Sequence, residues 1–170
     1  LYDDISKLEI KTGQEFSDLG EAELVEWLER GSVFRKYNHA RIASDRHHEC
    51  RLWISNDRLL YRNLASRKAR EKSIPLAYIE GLLVDATSEV FRRNGITQAQ
   101  SDAALNCFSL VCGGRTLDLR AQSADDYSVW TEYFQQVVER SQLEAHARRV
   151  ALRGQTREAF LESSSEVWAR

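Results

Sequence analysis

A helix that must lie on a sheet is the strongest constraint in this sequence. Ser123 is a good helix N-cap, and Asp125 and Asp126 follow in the first turn, where carboxylates meet unpaired N–H groups and the positive end of the helix dipole. Tyr127, Trp130, Phe134, Val137 and Val138 then recur on one face, while Thr131, Glu132, Gln135 and Gln136 lie largely off it. An apolar stripe containing a tryptophan and a phenylalanine needs an extended apolar surface to cover, so the residues before Ser123 are expected to supply one.

They read as short β-type runs: Val33 to Tyr37, Arg51 to Ser55, Arg58 to Asn63, Ser73 to Leu76, Ile79 to Asp85, Cys107 to Cys112 and Thr116 to Arg120. Asn56-Asp57 and Gly113-Gly114 separate two pairs of runs as hairpin turns. Pro75 is the only proline, and because it has no N–H to give a ladder, its run belongs at a sheet edge or a strand end. Asn94 to Ala104 is polar and reads as a loop. Before the first run, Leu24, Val25, Trp27 and Leu28 recur at helical spacing among glutamates, and Gly31 supplies a stop.

The expected fold class is therefore mainly β with helices: a seven-stranded curved β-sandwich or barrel capped by a C-terminal amphipathic helix. The expected organisation is an N-terminal lead-in (1–20), one domain with a short leading helix (21–140) and a helical extension (141–170). In the extension, Gly154 is read as ending the long helix and Thr156 as capping another, whose Phe160, Leu161 and Trp168 are candidates for contact with a protein partner.

With 24 Lys and Arg against 26 Asp and Glu, the chain has no global attraction for nucleic acid, so any anion site must be a local cluster. Basic residues do not alternate regularly with exposed aromatics, and nucleic acid is not an expected partner. Cys50, Cys107 and Cys112 are odd in number and lack C-x-x-C spacing, which favours a reducing, cytoplasmic setting over a disulfide framework or a zinc site. No run reaches the roughly 18 to 20 apolar residues that cross a bilayer. The chain opens on Leu1 and holds no methionine, so the natural start is expected upstream, with room for an acylated leader.

No catalytic pattern emerges. Ser66, Ser109 and Cys107 sit in no G-x-S-x-G elbow. His47 and His48, taken with His39 and Cys50, lack a familiar metal-ligand spacing and read as a solvated loop. Asp85, Glu89, Asp102 and Asp118 are scattered carboxylates, and there is no glycine-rich nucleotide loop. The expectation is a non-enzyme that requires no cofactor.

The order of these segments resembles the pleckstrin homology (PH) fold, and within it the phospholipase C delta type, from about Glu23 to Arg140. The residues that carry the resemblance are Glu23-Leu24 through Arg30-Gly31-Ser32, Arg51-Leu52-Trp53, Ser66-Arg67-Lys68, Cys107-Phe108-Ser109-Leu110-Val111, Thr116-Leu117-Asp118-Leu119, and Ser123 through Trp130. The resemblance implies a phosphoinositide site at the open end of the barrel, with Lys36, Arg51, Ser66, Arg67, Lys68 and Thr116 as candidate ligands. It also implies two departures that disrupt the site. Asn38 replaces a lysine on the first strand, and Glu49 stands two residues before Arg51, where the family has a basic residue and where it would share Arg51's face.

Two functions follow from the resemblance. The first is a PH-fold adaptor acting beside a membrane mainly through protein contacts. The alternative is a phosphoinositide-binding module that uses Lys36, Arg51, Arg67 and Lys68. The small PH-like apicomplexan proteins of the inner membrane complex, which carry an acylated leader and a poor phosphoinositide pocket, offer a further resemblance. It implies a cytoplasmic, peripheral membrane location at that complex.

Overall fold

A computed structural model gives the fold of residues 20–39, 47–96 and 105–168, with side chains described as far as Arg153. Helix α1 (Glu21–Arg30) leads into β1 (Ser32–Tyr37), β2 (His47–Ser55), β3 (Arg58–Asn63) and β4 (Lys72–Pro75). A 3-10 turn (Leu76–Tyr78), β5 (Ile79–Val84), the short helix α2 (Glu89–Arg93), β6 (Cys107–Cys112) and β7 (Arg115–Ala121) follow, and α3 (Ala124–Trp168) ends the described chain. The strands form one antiparallel sheet in the order β4-β3-β2-β1-β7-β6-β5, curled into a half-barrel. The expected fold class is the one observed.

Local chemistry accounts for the turns. Asn56 and Asp57 adopt φ of 51° and 56°, and Gly113 and Gly114 adopt 56° and 74°, the left-handed pairs that match a two-residue hairpin to the twist of its strands. Gly31 joins α1 to β1 at φ 71°, where a Cβ would stand 2.0 Å from the Leu52 carbonyl oxygen, so no side chain fits there. β4 lies at one end of the sheet and Pro75 is its last residue, as a missing N–H requires.

The inner face of the curl carries Phe34, Cys50, Leu52, Leu59, Phe108, Leu110, Leu117 and Leu119, and α3 lays Val129, Trp130, Phe134, Val137 and Val138 onto it. The α3 stripe is thus buried as its spacing predicts. Phe34 is central, meeting Phe108 at 5.8 Å and Trp130 at 5.6 Å, both edge to face, the arrangement the ring quadrupoles favour.

A polar node locks this packing. Trp130 Nε1 donates to Ser32 Oγ at 3.0 Å, and Ser32 Oγ donates to Asp126 Oδ1. The same Asp126 oxygen accepts from Trp27 Nε1 at 3.2 Å. Ser123 Oγ accepts the Asp126 N–H at 3.0 Å and donates to Asp126 Oδ2, completing the N-cap. One carboxylate therefore joins α1, β1 and the start of α3.

Three local readings are corrected. Gly154 does not end the last helix, which runs unbroken to Trp168. One interior glycine costs about 1 kcal/mol against alanine, and the neighbouring Ala151, Leu152, Arg153, Gln155, Glu158 and Ala159 are good helix formers. The side chains of Phe160, Leu161 and Trp168 lie outside the described residues. His47 and His48 are not in a loop but open β2, extending that strand by four residues before Arg51. Finally, α2 occupies Glu89–Arg93, a segment with no assigned element, because five residues are too few to show periodicity. The lead-in before Gly20, and the loop residues 97–104, also lie outside the described residues.

The Ser32 node gives a direct test. Ser32→Ala should destabilise the fold by about 1–3 kcal/mol, the cost of stranding the indole N–H, and Trp130→Ala by about 3–5 kcal/mol through cavity formation. In a Trp130→Phe background the Ser32→Ala penalty should shrink, because one stranded group is already gone. Urea midpoints in a double-mutant cycle read the coupling, and strict additivity would refute it.

Candidate functional site

Alternation along a strand sends successive side chains to opposite faces, so the register decides which basic residues can meet. Phe34 pairs with Cys50 and Lys36 with His48 across β1 and β2, whereas Val33 pairs with Arg51 and Arg35 with Glu49. Lys36 therefore shares the inner face with Phe34 and Cys50, at the open end of the curl. Arg51 and Glu49 share the opposite, outer face.

The six expected headgroup ligands consequently divide into three places. Lys36 stands alone at the inner mouth. Arg51 points outward, where its Nε donates to the Arg30 carbonyl oxygen at 3.1 Å and its guanidinium lies 5.9 Å from the Trp53 ring centroid. Thr116 is also on the outer face, donating through Oγ1 to Asp118 Oδ2 at 2.8 Å. Ser66, Arg67 and Lys68 are exposed in the connection between β3 and β4, and among the described residues no hydrogen bond or ion pair joins them to Lys36.

Of the two departures, Asn38 lies one residue beyond β1, not on it, and its Oδ1 accepts from Lys36 Nζ at 3.2 Å. Glu49 shares the face of Arg51 as anticipated, but that face is not the mouth, so its charge is not aimed at Lys36. Its Oε1 accepts from Gln122 Nε2 at 3.3 Å.

Lys72 is the mouth residue that sequence reasoning missed. Leu52 pairs with Tyr61 and Tyr61 with Lys72, which brings the side chain of Lys72 to the inner face of β4, its Nζ 5.9 Å from the Tyr61 ring centroid. The signal was the even spacing between Lys72 and Ile74, legible only once β4 was known to begin at Lys72. Burial pushes the Lys36 ammonium below its ordinary 10.5, and the nearby Lys72 charge pushes the same way, against Cys50 and Asp118. Cys50, fully buried below Lys36, has its thiol pushed up to about 12 by burial and behaves as an apolar group at neutral pH. The mouth can offer Lys36, Lys72, Asn38 and His48 to one anionic group. Among the described residues it holds no arginine, whose bidentate fork would grip a phosphate.

On the outer face, α2 covers a second small core of Tyr37, Ala86, Val90, Phe91, Ile96 and Cys107. Beneath it the fully buried Asp118 accepts from Ser109 Oγ at 2.8 Å and from Ser88 Oγ, which also caps α2 by accepting the Phe91 N–H at 3.2 Å. His39 Nε2 stands 3.5 Å from the other oxygen. Every donor around this carboxylate belongs to the fold, and it reads as the anchor that holds α2 to the sheet. Among the described residues no group of three His, Cys, Asp or Glu is placed to hold a metal ion, since His47 and His48 point to opposite faces. Among the described residues no helix is long and apolar enough to cross a membrane.

No protein-family model matches the chain, and no curated protein matches it significantly. Among solved structures it is similar to inner membrane complex sub-compartment protein 3 from Toxoplasma gondii, with a TM-score of 0.51 and 11% identity over 75% of this chain and 90% of that one. At that identity the likeness is one of fold.

Lys36 carries a pH signature. Its folded value lies below the unfolded 10.5, so between the two the unfolded chain binds more protons and stability rises with pH. Lys36→Met, which removes a desolvated charge, should therefore hold or raise the urea midpoint at pH 7.5. Its advantage over wild type should narrow as the pH approaches 10.5, and a gap independent of pH would contradict the burial of the ammonium.

Proposed function

We propose that this protein is a non-catalytic PH-like adaptor that works beside a membrane mainly through protein contacts. The observation that carries this reading is the division of the expected headgroup ligands. Lys36 faces the inner mouth while Arg51 and Thr116 face outward, and a multi-phosphate headgroup needs its cations on one side of the sheet. At the mouth, burial disfavours the charged form of Lys36, and the Lys72 charge acts in the same direction.

The location proposed is peripheral, on the cytoplasmic side of a membrane, with the inner membrane complex of an apicomplexan parasite as the specific compartment. The structural neighbour is named for that complex, and an acylated leader would provide the attachment. A single acyl chain gives only marginal membrane affinity, so a second contact is required, and in this reading a protein partner supplies it.

Vesicle binding tests the proposal. Vesicles containing phosphatidylinositol bisphosphate should bind the chain no better than vesicles containing phosphatidylserine at matched charge. Saturable, salt-sensitive binding to the bisphosphate that Lys36→Ala or Arg51→Ala abolishes would overturn the adaptor reading and establish a headgroup site.

A further inference from the structure

The outer face of the sheet carries a stripe of arginines. Arg62 on β3 pairs directly with Arg51 on β2, and Arg35 on β1 pairs directly with Arg120 on β7. Arg51 and Arg35 are diagonal neighbours, since Arg51 opposes Val33 and Arg35 opposes Glu49. Arg58 continues the stripe on β3, two positions from Leu60 and four from Arg62, on the same face. The line thus crosses four adjacent strands, β3-β2-β1-β7.

Like charges directly opposite one another destabilise a sheet, and here two such pairs adjoin. Among the described residues no carboxylate relieves the Arg51–Arg62 pair, whereas Arg35 has Glu49 directly opposite it. Among those residues no carboxylate stands within ion-pair distance of Arg35, Arg51, Arg58 or Arg62, all four of which are exposed. Glu49, the carboxylate within the stripe, is held by Gln122 instead.

Neutral oxygens hold three of these guanidinium groups in place. Arg51 donates to the Arg30 carbonyl, Arg58 Nε to Ser73 Oγ, and Arg62 Nη2 to the Arg67 carbonyl at 3.5 Å. Anchoring through neutral acceptors fixes the orientation of each fork without neutralising it, and each guanidinium keeps further N–H donors to offer.

We infer that this stripe is the docking surface for an acidic peptide segment of a protein partner, lying extended across β3, β2 and β1. The inference rests on the adaptor reading and names the surface through which the adaptor would act. Charge complementarity selects the chemistry, because carboxylates match guanidinium forks. An extended chain suits the diagonal step from Arg51 to Arg35, since its alternate side chains fall roughly 7 Å apart, close to the diagonal separation of residues on neighbouring strands. Shape selects a peptide over a bilayer. The stripe runs over the outside of a curled sheet, where a flat surface reaches the crest alone and a chain can follow the curve.

The test uses the full chain and a fluorescein-labelled peptide of alternating glutamate and serine, read by fluorescence anisotropy at low and high sodium chloride. Binding should be saturable and weakened by salt, and Arg51→Gln and Arg62→Gln should each reduce affinity about tenfold, one charge-assisted contact per arginine. Arg149→Gln, on the exposed part of α3, should leave it unchanged. Each Gln variant should keep a single cooperative thermal transition well above the assay temperature, which separates lost binding from lost folding.

Absence of peptide binding at low salt, or equal affinity in all variants, would overturn the inference. So would phosphatidylserine vesicles that bind through Arg51 and Arg62 while the peptide does not, since that assigns the stripe to a lipid surface. Failure of the peptide with bisphosphate vesicles also unbound removes the stripe and leaves the adaptor reading standing. Saturable bisphosphate binding through Lys36 removes the adaptor reading itself.

Discussion

The hydroxyl of Ser32 accepts the indole N–H of Trp130 and donates to the carboxylate of Asp126, and the rest of the structure is arranged around that pair of bonds. Trp130 is fully buried against Phe34 and Phe134, so its N–H has no access to water and must be satisfied within the protein. Satisfying it from the first residue of β1 sets where α3 begins on the sheet. Asp126 then draws in the Trp27 N–H of α1, so the leading helix, the first strand and the closing helix meet at one point. The aromatic packing supplies most of the stabilisation, and the polar node selects one arrangement of it.

Closing one end of the curl in this way leaves two surfaces for function, and the sheet treats them differently. The inner mouth is partly buried, which suits an uncharged lining better than a cluster of cations, and burial disfavours the charged form of Lys36 there. The outer face is solvated, so arginines can stand close together there at modest cost. One end of that face is covered by α2, pinned through Ser88 to the buried Asp118. Arg35, Arg51, Arg58 and Arg62 are exposed on the remainder. Among the described residues the arginines of β1, β2 and β3 stand on the outside of the sheet, and Lys36 and Lys72 at the mouth.

Much of the fold was legible in local sequence, and particular residues show why. Asn56-Asp57 and Gly113-Gly114 adopt the left-handed turns their chemistry favours, and Pro75 ends an edge strand because it lacks an N–H. The cap at Ser123 and the Trp130 stripe read correctly because capping and helical periodicity operate within a few residues. The failures have equally local causes. Gly154 was given more weight than one glycine carries against strong neighbouring helix formers. Helix α2 was too short to show a period. The start of β2 at His47 was hidden because its exposed, polar first residues lack the apolar alternation that marks a strand.

The candidate site was less legible than the fold, and the reason is the two-residue period of a strand. The sequence by itself determined that β-type runs precede a capped helix, and that Glu49 and Arg51 share a face, since both follow from spacing along one chain. It could not determine which face. A shift of one residue in pairing exchanges every inward side chain for an outward one, and both sides of β2 carry a mixture of polar and apolar groups. Only the tertiary structure, through the pairing of Phe34 with Cys50 and of Val33 with Arg51, sent Lys36 into the mouth and Arg51 to the outside. The deciding energy is the burial of Phe34, Cys50 and Leu52 against Trp130 and its neighbours, a contact between segments far apart in the chain that no local pattern records.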